Sequence, residues 1–443
     1  MNNRSSILTI EKFYSAYLDN ERDLFVYLPP GYHQNLGKRY PVLYMHDGQN
    51  IFHPAFNGYS WHVHQTVDRL IQSGDIEEII VVGISNMGAE RSNEFTHDLE
   101  GVCYQDDKVD IRPLGETYEK FVIEEVKIYI DAVFRTKPEA EHTALMGSSR
   151  GGQVTYHMGL RRPDVFSKLG IISPYFYCVD PVTLKEYPQY HTFTGLKPVS
   201  RIWIDLGSSE GILVMEKHVR EVAEKLADAG YEPDHELLYL NEPGAGHVEK
   251  DWAARLASPL IHFFGGKGKE CFLSLDGSGE VGIKGPACRL NPVLESDHGL
   301  RRTLLRASYE VQDEAVLEVR EDGIVVPKKE GKTLVTVQYE GLRASKTIRV
   351  VPEIPERVTL DIIVHVPAET PGDISIYAYF PLKHDPAQGT YFNRQKLPLH
   401  TEFIFQVTRA DGRVGADRNG VTIEHRYKAA ADGTVEIHVE QWR

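Results

Sequence analysis

The first 267 residues alternate between two hydrophobic patterns. Short apolar runs, for example residues 24–28 and 79–84, lack polar alternation, as expected of strands that are buried on both faces. Between such runs lie segments like 116–134, in which apolar residues recur at helical spacing and charged residues occupy the opposite face. Strands that alternate with helices require crossover connections. The pattern therefore predicts an α/β fold with a mostly parallel sheet and helices on both faces.

The helical pattern ends at the Gly/Lys-rich stretch 265–269, which is typical of a linker. Beyond it, short alternating strands follow one another with turn residues about every 8–12 positions, as in a β-sandwich. A second break, the Pro-containing stretch 351–356, precedes another all-β region. We therefore predict three domains: residues 1–267, residues 268–353 and residues 354–443.

Composition and charge narrow the classes of function. The 443 residues include 49 Lys and Arg against 64 Asp and Glu, a net charge of −15, and this acidity argues against a nucleic-acid partner. No apolar window of about 18 residues is present, so we expect no membrane partner. The written N-terminus lacks the pattern of a secretory signal, which predicts a cytoplasmic protein, with a mature secreted form as the alternative. His62 and His64 alternate like metal ligands, but no third ligand has a matching spacing, so we expect no metal.

The segment Gly147-Ser148-Ser149-Arg150-Gly151 matches the pattern G-x-S-x-G. It follows an apolar strand and opens a helix, which is the setting of a nucleophile elbow. There a serine lies on a tight turn with its hydroxyl exposed at the carboxyl edge of the sheet, and the glycines let strand and helix pass closely. We therefore predict that Ser149 is a catalytic nucleophile.

A serine hydroxyl needs a base, and in this fold the acid and the histidine follow the serine in the chain. Of the histidines downstream of Ser149 in the first domain, His247 alone lies in a Gly-rich loop between a strand and a helix. Two carboxylates precede it near the end of a strand, Asp205 within the strand and Glu210 beyond it. Active-site groups gather beyond strand ends, so we favour Glu210 and keep Asp205 as the alternative.

An oxyanion hole needs two backbone N–H donors. One is expected from Arg150, the residue after the nucleophile. The other is expected from Gly48 or Gln49, in the loop that follows the early strand at 41–45. An ordinary turn explains that loop about as well.

These motifs together resemble the Putative esterase family of α/β-hydrolases, which includes enterochelin, feruloyl and esterase D-like enzymes. The matching stretches lie at 26–32, 40–50, 147–152, 163–166 and 173–174. The resemblance covers nearly the whole first domain and implies an α/β-hydrolase fold, ester hydrolysis and a triad of Ser149, Glu210 and His247. Arg150 stands where the family usually has Leu or Met. Residues 270–353 resemble a bacterial Ig-like module, and residues 355–443 resemble a starch-binding-like β-sandwich in which Trp442 is the only tryptophan.

The expected activity is that of a serine carboxylic-ester hydrolase that forms an acyl-enzyme on a small-molecule or glycan-linked ester. This chemistry requires no cofactor. We expect any homo-oligomer to form through the β-sandwich modules, and we expect the first domain to work without them. The alternative is a glycan- or protein-binding scaffold with an inactive hydrolase domain.

Overall fold

A parallel sheet forms the centre of the first domain, in a computed structural model that describes residues 4–55, 57–100, 102, 111–180, 183–193, 197 and 199–443. Its strands run in the order β1-β2-β4-β3-β5-β6-β9-β10, and β7 and β8 form a separate hairpin. From β4 to β10 the neighbours are parallel, whereas β1 and β2 join antiparallel at one edge. The strands are β1 Ser6–Ser15, β2 Asn20–Leu28, β3 Val42–His46, β4 Ile80–Ile84, β5 Thr143–Ser148, β6 Lys168–Ile172, β7 Tyr177–Val179, β8 Glu186–Pro188, β9 Arg201–Gly207 and β10 Leu237–Glu242.

Helices cover both faces of this sheet, because successive strand residues point to opposite sides. In β3, Val42 and Tyr44 belong to one apolar cluster, whereas Leu43 and Met45 belong to another. The helices are α1 Gly48–Phe52, α2 Val63–Ser73, α3 Arg91–Glu94, α4 Gly115–Lys120, α5 Ile128–Val133, α6 Arg150–Arg161, α7 Glu216–Asp228, α8 Glu249–Arg255 and α9 Ala257–Phe264. The predicted helix at 116–134 consists of α4, a π-helical segment Phe121–Lys127 and α5. Among the described residues, no helix is both long and apolar enough to span a membrane.

The sheet continues beyond the predicted boundary at residue 267. Three strands from the next region extend it past β10 in the order β15-β14-β11, all antiparallel. The strands of this region are β11 Glu270–Asp276, β12 Glu280–Lys284, β13 Cys288–Arg289, β14 Asn291–Ser296, β15 Arg301–Thr303, β16 Ser308–Val311, β17 Leu317–Val319, β18 Ile324–Pro327, β19 Gly331–Tyr339 and β20 Leu342–Glu353. Strand β15 thereby covers the hydrogen-bonding edge of β10. That residues 1–267 form an independent domain stays a prediction.

The fully buried Arg302 fixes this extension. Its guanidinium binds Asp234, before β10, at 2.9 Å and Glu270, in β11, at 2.6 Å. The remaining strands form two small sheets, β12-β20-β19-β16 and β13-β18-β17, which enclose an apolar core that includes Leu317 and Val335. The region from 268 to 353 therefore contains the predicted β-sandwich, but part of its chain belongs to the central sheet.

The last region is a second β-sandwich around its own apolar core, which Ile212 of the first domain joins. Its largest sheet has the order β26-β22-β23-β24-β21-β29, and two short pairs, β25-β28 and β27-β30, complete it. The strands are β21 Arg357–His365, β22 Ile376–Ala378, β23 Phe380–Asp385, β24 Thr390–Pro398, β25 Glu402–Phe405, β26 Val407–Arg409, β27 Gly415–Ala416, β28 His425–Lys428, β29 Gly433–His438 and β30 Gln441–Trp442. An α/β domain with two C-terminal β-sandwiches, the predicted fold class, is thus confirmed.

Candidate active site

Ser149 lies at the sharp turn between β5 and α6. Its φ and ψ are 59° and −125°, a conformation that is strained for a residue with a side chain. The turn is held by hydrogen bonds, in which the Ser149 N–H donates to the Ile172 carbonyl at 3.0 Å and the Tyr175 N–H donates to the Ser149 carbonyl at 3.2 Å. The residue is half-buried, whereas its neighbours Ser148 and Arg150 are buried. This is the geometry expected of a nucleophile elbow.

Two glycines at the elbow, Gly147 and Gly152, are required by close backbone contacts. A Cβ atom at Gly147 would lie 2.6 Å from the Gly151 carbonyl oxygen and 2.8 Å from the His46 ring. A Cβ atom at Gly152 would lie 2.8 Å from the Ile172 carbonyl oxygen. Since real Cβ contacts are longer than this, larger residues at these positions would push the helix off the sheet.

Glu210 and His247 lie together at the carboxyl edge of the sheet. The Glu210 Oε2 atom is 2.8 Å from His247 Nδ1, and the carboxylate is buried while the imidazole is partly exposed. Glu210 follows β9 and His247 follows β10, so both loops start from adjacent parallel strand ends. Because Nδ1 faces the carboxylate, the other ring nitrogen, Nε2, is left to accept a proton.

A network that the sequence reasoning missed holds the other carboxylate oxygen of Glu210. The Ser173 hydroxyl donates to Oε1 at 2.6 Å, and the Gly207 N–H donates to the same oxygen at 2.6 Å. The Ser173 oxygen in turn accepts from Trp252 Nε1 at 3.0 Å and from Arg255 at 2.7 Å. The sequence signals for this network were the position of Ser173 directly after a buried strand and its place in the 173–174 stretch that resembles the family.

Ser173 also connects Glu210 with the elbow. The Ser149 N–H binds the carbonyl of Ile172, the residue before Ser173, and Ser173 Oγ binds Glu210. Through these two contacts the end of β6 brings together the loops of the predicted nucleophile and the predicted acid. The Trp252 ring packs edge-on against the His247 ring, with centroids 5.1 Å apart, and completes the cluster.

Asp205, the alternative acid, lies within β9, and its carboxylate is held by a tryptophan and an arginine. Its carboxylate accepts from Trp203 Nε1 at 2.6 Å and from Arg255 Nε at 3.1 Å, and the side chain is fully buried. Burial raises the pKa of the Asp205 carboxyl, and the Arg255 charge opposes that rise only in part. Burial also lowers the pKa of the Arg255 guanidinium, but Asp205 and Glu210 outweigh it, so that pKa stays above its ordinary value. Asp205 therefore anchors the charged Arg255 beneath the site.

The loop that contains Gly48 and Gln49 lies beside the elbow. Asp47 begins α1 with a φ of 58°, and its carboxylate binds Arg91 through two hydrogen bonds of 2.7 and 2.8 Å. Burial acts to raise the pKa of the Asp47 carboxyl, but Arg91 and Asn86 together outweigh burial and the pKa is lowered. A Cβ atom at Gly151 would lie 3.3 Å from Asp47 Oδ2, so this loop contacts the start of α6.

Gly48 and Gln49 are the first two residues of α1, and Arg150 is the first residue of α6. Backbone N–H groups at such positions make no hydrogen bond within their own helix. A Cβ atom at Gly48 would lie 2.5 Å from the Gly83 backbone, which explains the glycine, and the Gln49 side chain accepts the Asn86 N–H at 3.1 Å. All three predicted donors thus lie at helix starts near the carboxyl edge of the sheet.

One group of three potential metal ligands is present among the described residues, and it lies in the last sandwich rather than at this site. It consists of His365, Glu436 and His438. The two imidazole rings are stacked, with centroids 4.3 Å apart and an angle of 7° between their planes.

Comparison with known proteins places the chain in a family. The model of the Putative esterase family matches residues 15–263, which is more than half of the chain, so the chain belongs to this family. As a member of it, the protein is a carboxylic ester hydrolase.

The individual relatives each match a little more than half of this chain. The chain is 24% identical over 259 residues to the uncharacterized protein YbbA of Bacillus subtilis (strain 168), which is 57% of this chain and 96% of that protein. It is 31% identical over 247 residues to an endo-1,4-beta-xylanase/feruloyl esterase of Xylanibacter ruminicola, which is 54% of this chain and 29% of that protein. A ferulic acid esterase structure from Anaeromyces mucronatus is 20% identical, covers 59% of this chain and 91% of its own, and has a TM-score of 0.44.

Proposed function

We propose that the protein hydrolyses carboxylic esters through an acyl-enzyme formed on Ser149, with His247 as the general base and Glu210 as the acid of the triad. The observation that carries this proposal is the 2.8 Å contact between Glu210 Oε2 and His247 Nδ1, at the sheet edge where the strained elbow turn presents Ser149. Asp205 is not proposed as the acid, because its carboxylate is bound to Trp203 and Arg255.

In the proposed reaction, Ser149 Oγ attacks the ester carbonyl while His247 Nε2 takes its proton. Glu210 keeps the Nδ1–H in place and stabilises the imidazolium that forms. The oxyanion is held by the Arg150 N–H and by that of Gly48 or Gln49. His247 then gives the proton to the departing alcohol. A water molecule, activated by the same imidazole, releases the acid and restores Ser149.

To identify the acyl part of the substrate, we propose to test feruloyl esters first. This choice rests on the Xylanibacter ruminicola relative, whose name includes a feruloyl esterase and to which the first domain is 31% identical. Acetyl and siderophore esters complete the substrate panel.

The experiment compares wild type with Ser149→Ala on p-nitrophenyl acetate and on this panel. We expect Ser149→Ala to lose on the order of 10³-fold or more in kcat with an unchanged melting temperature, because the fold and oxyanion hole remain. Retention of more than about a tenth of the activity would show that Ser149 is not the nucleophile. A wild type that hydrolyses none of the esters but is retained on a glycan array would support the binding-scaffold alternative.

Several sequence expectations stay predictions. They are a cytoplasmic location, an Ig-like and a carbohydrate-binding character of the two sandwiches, and self-association through them. For sugar binding, the ring of Trp442 is already engaged, because Arg409 lies over it at 5.4 Å and its Nε1 donates to Thr370 at 2.9 Å. This engagement argues against a role for the Trp442 ring in stacking on a sugar.

A further inference from the structure

The loop that carries Glu210 is contacted by the last sandwich, more than 160 residues away in the sequence. The Tyr379 hydroxyl accepts the N–H groups of Ile212 at 2.7 Å and Leu213 at 3.0 Å. The same hydroxyl donates to the Glu210 carbonyl at 2.8 Å. One phenol oxygen therefore makes three hydrogen bonds to the backbone directly at and after the predicted catalytic acid.

Strand β25 makes a second set of contacts with this loop. The Gly211 N–H donates to the Glu402 carbonyl at 2.9 Å, and the backbones of Glu210 and Phe403 form an antiparallel bridge. The Phe403 side chain is fully buried, and its ring lies 4.4 Å from that of Tyr379. The backbone of the catalytic-acid loop is thus paired with a strand of another module.

The loop of His247 is contacted by the same module. Arg426, held by Glu402 at 2.8 Å, donates to the Gly244 carbonyl at 2.9 Å. A Cβ atom at Gly246 would lie 2.9 Å from the Ile404 side chain, so the loop of His247 and strand β25 are in direct contact. The sandwich therefore contacts the loops of both members of the acid–base pair.

The backbone at this contact is unusual on both sides. Tyr379 has a φ of 63°, in the left-handed region that a bulky side chain seldom adopts. Gly211 has a φ of 72°, and a Cβ atom there would lie 2.2 Å from the Tyr379 hydroxyl oxygen. Strained residues persist where the surrounding structure holds them, and they cluster at functional sites. Burial raises the pKa of the Tyr379 phenol, so the hydroxyl keeps the proton that it donates to Glu210.

We propose that Tyr379 is a positioning residue for the catalytic acid, and that the sandwich of residues 354–443 is part of the catalytic unit. The proposal rests on the proposed function of Glu210 and His247. Glu210 lies three residues beyond the end of β9, so its own strand fixes it only indirectly. Ser173 and Gly207 hold its carboxylate from the sheet side, whereas Tyr379 and β25 hold its backbone from the other side.

Because Tyr379 and β25 hold the backbone of Glu210, their loss should affect the rate of the reaction rather than substrate binding. A misplacement of about 1 Å in a catalytic group can cost on the order of 10²-fold in rate. Tyr379 contacts the acid loop and not the nucleophile elbow in any hydrogen bond that the structure records. Loss of its hydroxyl should therefore act on kcat and on proton transfer, with little change in KM.

The test is Tyr379→Phe in the full-length chain, with Tyr391→Phe as the matched control. Tyr391 is a buried tyrosine of the same sandwich whose hydroxyl binds only carbonyls of its own module, Pro371 at 3.2 Å and Ile374 at 3.4 Å. With p-nitrophenyl acetate, we expect Tyr379→Phe to lower kcat about tenfold, the equivalent of roughly 1.4 kcal/mol. We expect KM to change less than about twofold, and Tyr391→Phe to leave both parameters near wild type.

The pH profile and amide exchange separate positioning from general stability. In Tyr379→Phe, the acid limb of kcat/KM should move to lower pH, because a displaced carboxylate stabilises the imidazolium less. Hydrogen exchange at the Gly211, Ile212 and Leu213 amides should become faster in this variant only. Unchanged kcat and unchanged exchange in a folded Tyr379→Phe overturn the proposal, and so does an equal effect of Tyr391→Phe.

The exchange measurement also distinguishes the two hypotheses. If wild type hydrolyses no ester, the proposed function fails, and the exchange result still reports whether Tyr379 fixes the loop. If wild type is active and Ser149→Ala is inactive, but Tyr379→Phe is like wild type in rate, pH profile and exchange, only the positioning proposal fails.

Discussion

Glu210→Gln tests the assignment of the acid with almost no change in shape. Both oxygens of Glu210 accept hydrogen bonds: Oε1 from Ser173 and the Gly207 N–H, and Oε2 from His247. In the glutamine variant one of these positions must become an NH₂ group, which cannot accept. Two donors surround the Oε1 position, and the positively charged Arg255 guanidinium lies 3.4 Å from it. The amide nitrogen will therefore occupy the other position and face His247.

The consequence is a change of tautomer. An NH₂ group opposite Nδ1 favours an imidazole with its proton on Nε2, and such a ring cannot accept the proton of Ser149. The corresponding loss in a serine hydrolase triad is about 10⁴-fold in kcat, or about 5 kcal/mol of activation free energy. Since glutamine fills the same volume, we expect the melting temperature of Glu210→Gln to stay close to that of wild type.

Asp205→Asn is the matched control, because it also neutralises a buried carboxylate in the same network. It leaves the Arg255 guanidinium without its nearest counter-charge, and loss of one partner of a buried ion pair costs about 3–5 kcal/mol of stability. We expect a lower urea midpoint and a kcat within about tenfold of wild type. The assay is p-nitrophenyl acetate turnover alongside urea unfolding. An active Glu210→Gln together with a folded but inactive Asp205→Asn would refute the reasoning and assign the role to Asp205.

Three further predictions concern the surroundings of the site. Ser173→Ala removes the hydroxyl that connects Glu210 with Trp252, so that the buried Trp252 N–H loses its acceptor. We expect this variant to have a kcat about tenfold lower and a lower melting temperature than wild type. Equal values for wild type and variant would contradict this. Burial, together with Arg201, lowers the pKa of His262 to about 3, so between pH 6.5 and 3 only the unfolded chain binds this proton and stability falls as pH falls. His262→Gln should therefore reduce the change in urea midpoint between pH 7 and pH 5, and an unchanged slope would contradict it. A chain that ends after residue 266 loses β11, β14 and β15 from its central sheet and should be insoluble or inactive; a soluble, fully active fragment would show that the first domain is independent.

The elbow and the parallel sheet could be predicted because their signals are local. Gly147, Ser149 and Gly151 lie within five consecutive residues between an apolar strand and a helix, and the contact that requires Gly147, with the Gly151 carbonyl, lies within the same turn. His247 followed from the position of its loop after a strand. Glu210 was favoured over Asp205 for the same reason, since strand residues face a packed layer whereas loop residues face the site.

The contacts between modules could not be predicted in this way. The alternation of β11 or β15 is the same whether the strand joins the central sheet or its own sandwich, so the pattern could not identify the partner sheet. Tyr379 follows a short strand and has no signal that relates it to a loop 169 residues earlier. The expectation that the first domain works alone rests on the linker, which can be recognised in the sequence. The surfaces of the two modules that meet across the linker cannot be recognised in this way.

The central claim is that Ser149 becomes acylated during turnover. Intact-mass and peptide mass spectrometry of the full-length chain, acid-quenched during turnover of p-nitrophenyl acetate, tests it most directly. We predict one acetyl group per chain on the peptide that contains Ser149, an adduct that is absent from Ser149→Ala. Turnover with no adduct on Ser149, or with the acetyl group on another residue whose replacement abolishes activity, would contradict the account.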